Sequence, residues 1–80
     1  MAKAQAVTTS YDISQWPAMD DAIEAAVGRV SDFAGAGIDG RRDHGWVCKS
    51  EIEVERVKRA LRGIGLRAEV RTVTVEPVDE

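Results

Sequence analysis

Eighty residues, 44% hydrophobic and 31% charged with a net charge of −3, describe one small folded domain, too polar for a membrane span and too apolar for a disordered chain. A core this thin leaves little room for a deep, water-free active site. One cysteine, Cys48, excludes an intrachain disulfide framework, and one histidine, His44, leaves no zinc-ligand spacing. A cytoplasmic setting is expected, because the opening MAKAQAVTTS has no apolar signal-peptide core, and neither a metal nor a cofactor is expected. Residues 1–4 and 77–80 read as flexible ends of a single domain.

In chain order, QAVTTSYDI (5–13) is rich in β-formers, with Val7, Tyr11 and Ile13 on one parity, and predicts a first strand. In the segment that follows, Met19, Ala22, Ile23, Ala26, Val27 and Val30 recur at helical spacing, with Pro17 in the first turn and Asp20 and Asp21 near the positive end of the helix dipole. A helix over about 17–29 is predicted. Asp39-Gly40 between two extended runs predicts a two-residue hairpin turn joining strands two and three. Ser50 and Glu53 form a capping box before a second helix whose apolar stripe is Val54, Val57, Leu61 and Ile64, ended by Gly63 and Gly65. A fourth strand follows, with Leu66, Ala68 and Val70 alternating against Arg67, Glu69 and Arg71, and its apolar parity then changes so that Val73 and Val75 side with the arginines.

The order strand, helix, strand, strand, helix, strand predicts an α+β, ferredoxin-like βαββαβ plait, a four-stranded antiparallel sheet with both helices on one face. Within that order the literal G-x-G-x-x-G of Gly35, Gly37 and Gly40 precedes a hairpin strand, whereas a dinucleotide loop needs those glycines between a strand and a helix. They are read as structural, with Gly35 and Gly37 in an edge strand and Gly40 supplying the positive φ of the turn.

A two-residue turn at 39–40 sets Ile38 opposite Arg41, Gly35 opposite His44 and Phe33 opposite Trp46. Two readings follow. The favoured one buries Phe33, Trp46 and Cys48 under the helices, because a chain with only four aromatics needs its large side chains inside. The other puts Ala34, Ala36, Ile38 and Val47 inside and exposes Phe33, Arg42, His44 and Trp46 as a stacking platform for single-stranded nucleic acid. RDHGWVCK (42–49) resembles the third-strand motif of RNA-recognition modules (RRM), with Arg42, His44 and Trp46 at its first, third and fifth positions. It departs from that family at Asp43, where the family has Gly, and at Lys49, where it has an aromatic; Tyr11 is the one hint of the first-strand aromatic. The resemblance implies an RRM-like RNA-binding module, which the acidic total charge counts against.

No catalytic constellation is expected. Asp43 and His44 are strand neighbours pointing to opposite faces, and Cys48 lies about 13 Å along the strand from His44. The charge is uneven: residues 1–40 carry two basic against six acidic side chains, and residues 41–80 nine against eight. The candidate partner-binding residues are therefore Asp20, Asp21 and Glu24 on the acidic side and Arg56, Arg59, Arg62, Arg67 and Arg71 on the basic side. The sheet edges, strands two and four, invite a homodimer or a partner's strand.

As a short, single-domain, ferredoxin-like chain expected in the cytoplasm, it resembles in overall design the small inhibitor proteins of phages and mobile elements, especially anti-CRISPR proteins. That resemblance implies a non-enzymatic inhibitor that sterically blocks a protein partner, such as a CRISPR surveillance complex engaging target DNA. A small regulatory subunit of a host assembly is the further alternative.

Overall fold

The computed structural model describes residues 2–36 and 39–75. Its elements are β1 (Ala2–Asp12), a 3-10 turn (Ile13–Gln15), α1 (Ala18–Val27), β2 (Phe33–Ala36), β3 (Arg41–Cys48), α2 (Glu51–Gly63) and β4 (Glu69–Val75). The strands form one antiparallel sheet in the order β2-β3-β1-β4, which leaves β2 and β4 as the edges. β1 begins at Ala2, so residues 2–4 are paired strand rather than a loose end, while residues 77–80 lie outside the described residues. Ile13 leaves the strand for the 3-10 turn and is exposed, although its parity had placed it with Val7 and Tyr11.

The helices end where local chemistry stops them. Gly28 caps α1 in the left-handed conformation at φ 88°, a conformation that costs glycine little. At the start of α2 the Ser50 hydroxyl accepts from the Glu53 amide, and Glu53 reaches back to the Lys49 amide at 2.8 Å, one residue beyond the usual capping-box partner. The C-terminus closes with paired bonds from the Gly65 amide to the Arg62 carbonyl and from the Leu66 amide to the Leu61 carbonyl, both 3.0 Å, with Gly65 at φ 83°. This is a Schellman arrangement, and it folds Leu66 back onto the core.

The core joins Val7 and Tyr11 of β1, Trp46 and Cys48 of β3, Ile23 of α1, and Val54, Val57 and Leu61 of α2. Met19, Val27, Ile64 and Ala68 pack around it, whereas Val30 stands mostly in water. The sheet thus has a helix-covered side and an open side. The unbroken pairing of Ala2–Thr8 with Glu69–Val75 puts Val73 on the open side beside Ala4, so the parity change in β4 involves no bulge among the paired residues.

The hairpin differs from the two-residue prediction by one residue. Phe33 pairs with Gly45, Ala34 with His44, Gly35 with Asp43 and Ala36 with Arg42. A shift of one exchanges the faces: Trp46 is fully buried under the helices and Phe33 lies on the open side. Ala34 and Ala36 join the His44 and Arg42 parity, and Val47 joins the open side. The expected pairing of Ile38 with Arg41, and the position of Gly37, lie outside the described residues.

Gly45 makes room for this register. A β-carbon built there would fall inside the Phe33 ring, so the missing side chain is what lets the ring lie across β3. The turn is secured separately. Gly40 takes φ 78°, its carbonyl accepts from the Ile13 amide at 2.9 Å, and Asp39 accepts from the Arg41 amide.

Candidate functional site

Alternation along β3 sends Arg42, His44, Trp46 and Cys48 to the helix-covered side and Arg41, Asp43, Gly45 and Val47 to the open side. Each set builds a different kind of surface.

On the covered side, Tyr11 stands in register with Arg42, and His44 lies two residues along the same strand. Asp20, in the first turn of α1, is aimed at all three. Its carboxylate accepts from the Tyr11 hydroxyl, from Arg42 Nε at 2.9 Å to both oxygens, and from His44 Nε2 at 2.8 Å. His44 Nδ1 meets the Ser31 hydroxyl at 2.7 Å. A carboxylate only accepts, so Nε2 carries a proton, and the Ser31 hydroxyl, which can donate or accept, completes the bonding of the ring at Nδ1. The ring is sandwiched between Tyr11 and Trp46, with centroids 6.2 and 5.8 Å away. Burial works against the charge of Asp20, but the bonds from Tyr11, His44 and Arg42 outweigh it and hold its pKa below the ordinary value. The same burial, together with the bond to Asp20, pushes Tyr11 up to about 12.

Ser31, His44 and Asp20 therefore have the connectivity of a nucleophile, a base and an orienting acid. Asp20 is shared among three donors on two strands, so the same bonds also tie those strands to the first turn of α1. The cluster fastens α1 to β1 and β3. No buried side-chain nitrogen or oxygen among the described residues lacks a partner.

A second clamp holds the segment after α1. Arg29 reaches Asp32 (3.0 Å), the Val47 carbonyl (2.9 Å) and Glu53 (3.3 Å), and its own carbonyl accepts from Trp46 Nε1 (3.3 Å). Asp32 extends the β2 ladder by donating its amide to the Gly45 carbonyl and accepting the Val47 amide on its carboxylate.

The open side is built otherwise. Thr8 and Ser10 of the central strand lie between Arg41 and Asp43 on one flank and Glu69 on the other, with Arg67, Arg71 and Phe33 completing a shallow concavity. Phe33 is 46% exposed. Arg41 donates to the Ser10 hydroxyl at 3.2 Å. None of Arg41, Asp43, Arg67, Glu69 and Arg71 makes an ion pair among the described residues.

The candidate residues read from the sequence are thus divided. Asp20 is engaged in the internal cluster and is not free to meet a partner, whereas Asp21 and Glu24 are exposed on α1. Arg56, Arg59 and Arg62 are exposed on α2, and Arg67 and Arg71 belong to the open side of the sheet, so the basic residues form two surfaces rather than one patch. Phe33, Arg42, His44 and Trp46 do not form an exposed platform, because the last three face the helices and His44 is only 6% exposed. Sequence reasoning missed Arg41, Asp43 and Ser31. The alternation of Arg41 and Asp43 against Arg42 and His44 was the available signal for the first two, while nothing local marks Ser31.

Among the described residues no group of His, Cys, Asp and Glu could hold a metal ion, and no helix is long and apolar enough to cross a membrane. Compared with protein-family models, with curated proteins and with solved structures, the chain gives no significant match.

Proposed function

We propose that this chain is a binding domain of the ferredoxin-like type that acts by occupying a surface of a protein partner, with the open side of its sheet as the contact. The element order and the β2-β3-β1-β4 strand order support that finer description of the fold. The observation carrying the functional reading is the exposed Phe33 ring set among five charged side chains that make no ion pairs with one another. Aromatic and arginine side chains are the anchors of protein interfaces, and charges of both signs select a partner of complementary pattern. A nucleic-acid surface would be expected to carry one sign, whereas three arginines here are offset by Asp43 and Glu69.

A steric inhibitor of a larger assembly, as the resemblance to anti-CRISPR proteins implies, would work through this surface. Asp21 and Glu24, and the exposed edges β2 and β4, would extend the contact. The test is co-purification of a tagged chain from its host after nuclease treatment, comparing wild type with Phe33→Ala and with Arg41→Glu/Arg71→Glu. The expected result is a protein partner that resists nuclease, weakens as salt rises and is lost in both variants. A partner set unchanged by both variants overturns the reading. Salt-dependent binding of labelled single-stranded RNA, lost in the same variants, would transfer the surface to nucleic acid.

A further inference from the structure

The Asp20 cluster contains one bond that the fastening of α1 does not require. Asp20 ties the helix to the sheet through Tyr11, Arg42 and His44, whereas Ser31 lies beyond the end of α1 and meets the far nitrogen of His44, Nδ1, at 2.7 Å. Ser31 is half-buried, while the ring behind it is 6% exposed. A cavity of about 160 Å³ opens beside the pair, with Ser31, His44, Arg42, Val30 and Ala34 among its walls. A hydroxyl within reach of a ligand, a shielded imidazole on it and a carboxylate on the other ring nitrogen are the parts of an activated nucleophile.

We propose that Ser31 is a nucleophile with His44 as its general base, and that the cavity takes the small acyl group of an ester. Because Nε2 carries its proton toward Asp20, the neutral ring presents a lone pair at Nδ1 to the Ser31 proton. The ring is turned over relative to serine proteases, in which Nε2 serves the nucleophile, but the connectivity is the same.

Ser31 Oγ forms a bond to the ester carbonyl carbon as its proton passes to Nδ1, and the carbonyl electron pair moves onto oxygen. The pair then returns, the bond to the leaving oxygen breaks, and that oxygen takes the proton from Nδ1 and departs as an alcohol. A water gives its proton to Nδ1 and attacks the acyl-Ser31 ester; the acid is released and Ser31 Oγ recovers the proton. Arg42, which lines the cavity as well as holding Asp20, supplies a cation for the developing oxyanion. The volume equals the share of about five waters in the liquid, which suits an acetyl-sized group and not a long chain. This site is on the helix-covered side, so it and the partner contact of the open side can fail independently.

Reaction of the chain with p-nitrophenyl acetate, followed by acid quenching and peptide mapping, tests the proposal. The expected result is a burst of p-nitrophenolate and an acetyl group on the tryptic peptide 30–41, which has no lysine and in which Ser31 is the one side-chain hydroxyl. Ser31→Ala should remove both with circular dichroism unchanged, and His44→Gln should slow acetylation of Ser31 about 100-fold or more. p-Nitrophenyl decanoate should acylate Ser31 at least about tenfold more slowly. A wild-type chain acetylated only on lysines and its N-terminus overturns the proposal. So does a Ser31 that reacts as fast in His44→Gln as in wild type, which would make it an ordinary surface hydroxyl, and so does decanoate reacting as fast as acetate, which would put the acyl group outside the cavity.

Discussion

The two sides of β3 use the same residue types to opposite ends. Arg42 and His44 face inward and spend their donors on Asp20, while Arg41 and Asp43, one residue away on the same strand, face outward and form no ion pair. Inside, a charge is tolerated only because several partners converge on it. Outside, water solvates each charge at little cost, and the pattern stays available for a partner. Damage to the first side should therefore appear as lost stability, and damage to the second as lost recognition.

The largest effect should follow Asp20→Ala, which leaves Arg42, His44 and Tyr11 without their common acceptor. A loss of about 2 kcal/mol is expected in urea denaturation, less than for a fully buried pair because Asp20 and Arg42 keep some contact with water. The same carboxylate predicts the acid limb of stability. Its folded pKa is depressed below the ordinary aspartate value, so its contribution is complete above that value and is lost as pH falls through the lower, folded pKa. Urea midpoints measured from pH 6 downward should fall below about pH 4 in wild type and fall less in Asp20→Asn.

Next in size is Gly45→Ala, which drives the half-exposed Phe33 ring off β3 and should cost about 1 kcal/mol, because the atoms it meets are the outer end of a side chain that can swing into water. Adding Phe33→Ala should return part of it. A Gly45→Ala variant as stable as wild type would mean the ring does not depend on that gap. The smallest stability effect belongs to the open side: Arg71→Glu should change unfolding by no more than about 0.5 kcal/mol while abolishing partner capture. If Arg71→Glu destabilised the fold as strongly as Asp20→Ala, the division between the two sides would fail.

Much of the fold was legible because it is local. The Ser50 cap, the Val54, Val57 and Leu61 stripe, the Gly65 stop and the alternation of β3 all depend on residues within a few positions of one another, whereas α1 ends at Val27, short of the predicted 29. The register of the β2–β3 hairpin was not legible from Asp39-Gly40, since it depends on contacts across the sheet, among them the room Gly45 leaves for Phe33. One residue of register then decided which aromatic became core. The Asp20 cluster was hidden for a related reason. Its carboxylate sits in a first helical turn, where the dipole already explains an acid, and its partners Arg42 and His44 come from more than twenty positions later in the chain.

Cys48 gives the covered side a property of its own. Its thiol is buried, donates to the Trp46 carbonyl at 3.6 Å, and is pushed toward higher pKa chiefly by that burial. Alkylation requires a thiolate in contact with water, so burial should make Cys48 react more slowly in the folded chain than a free thiol does. As the one cysteine of the chain it offers a single site of labelling. A labelling rate that rises in mild denaturant, before global unfolding, would report local opening at the end of β3 with no engineered probe.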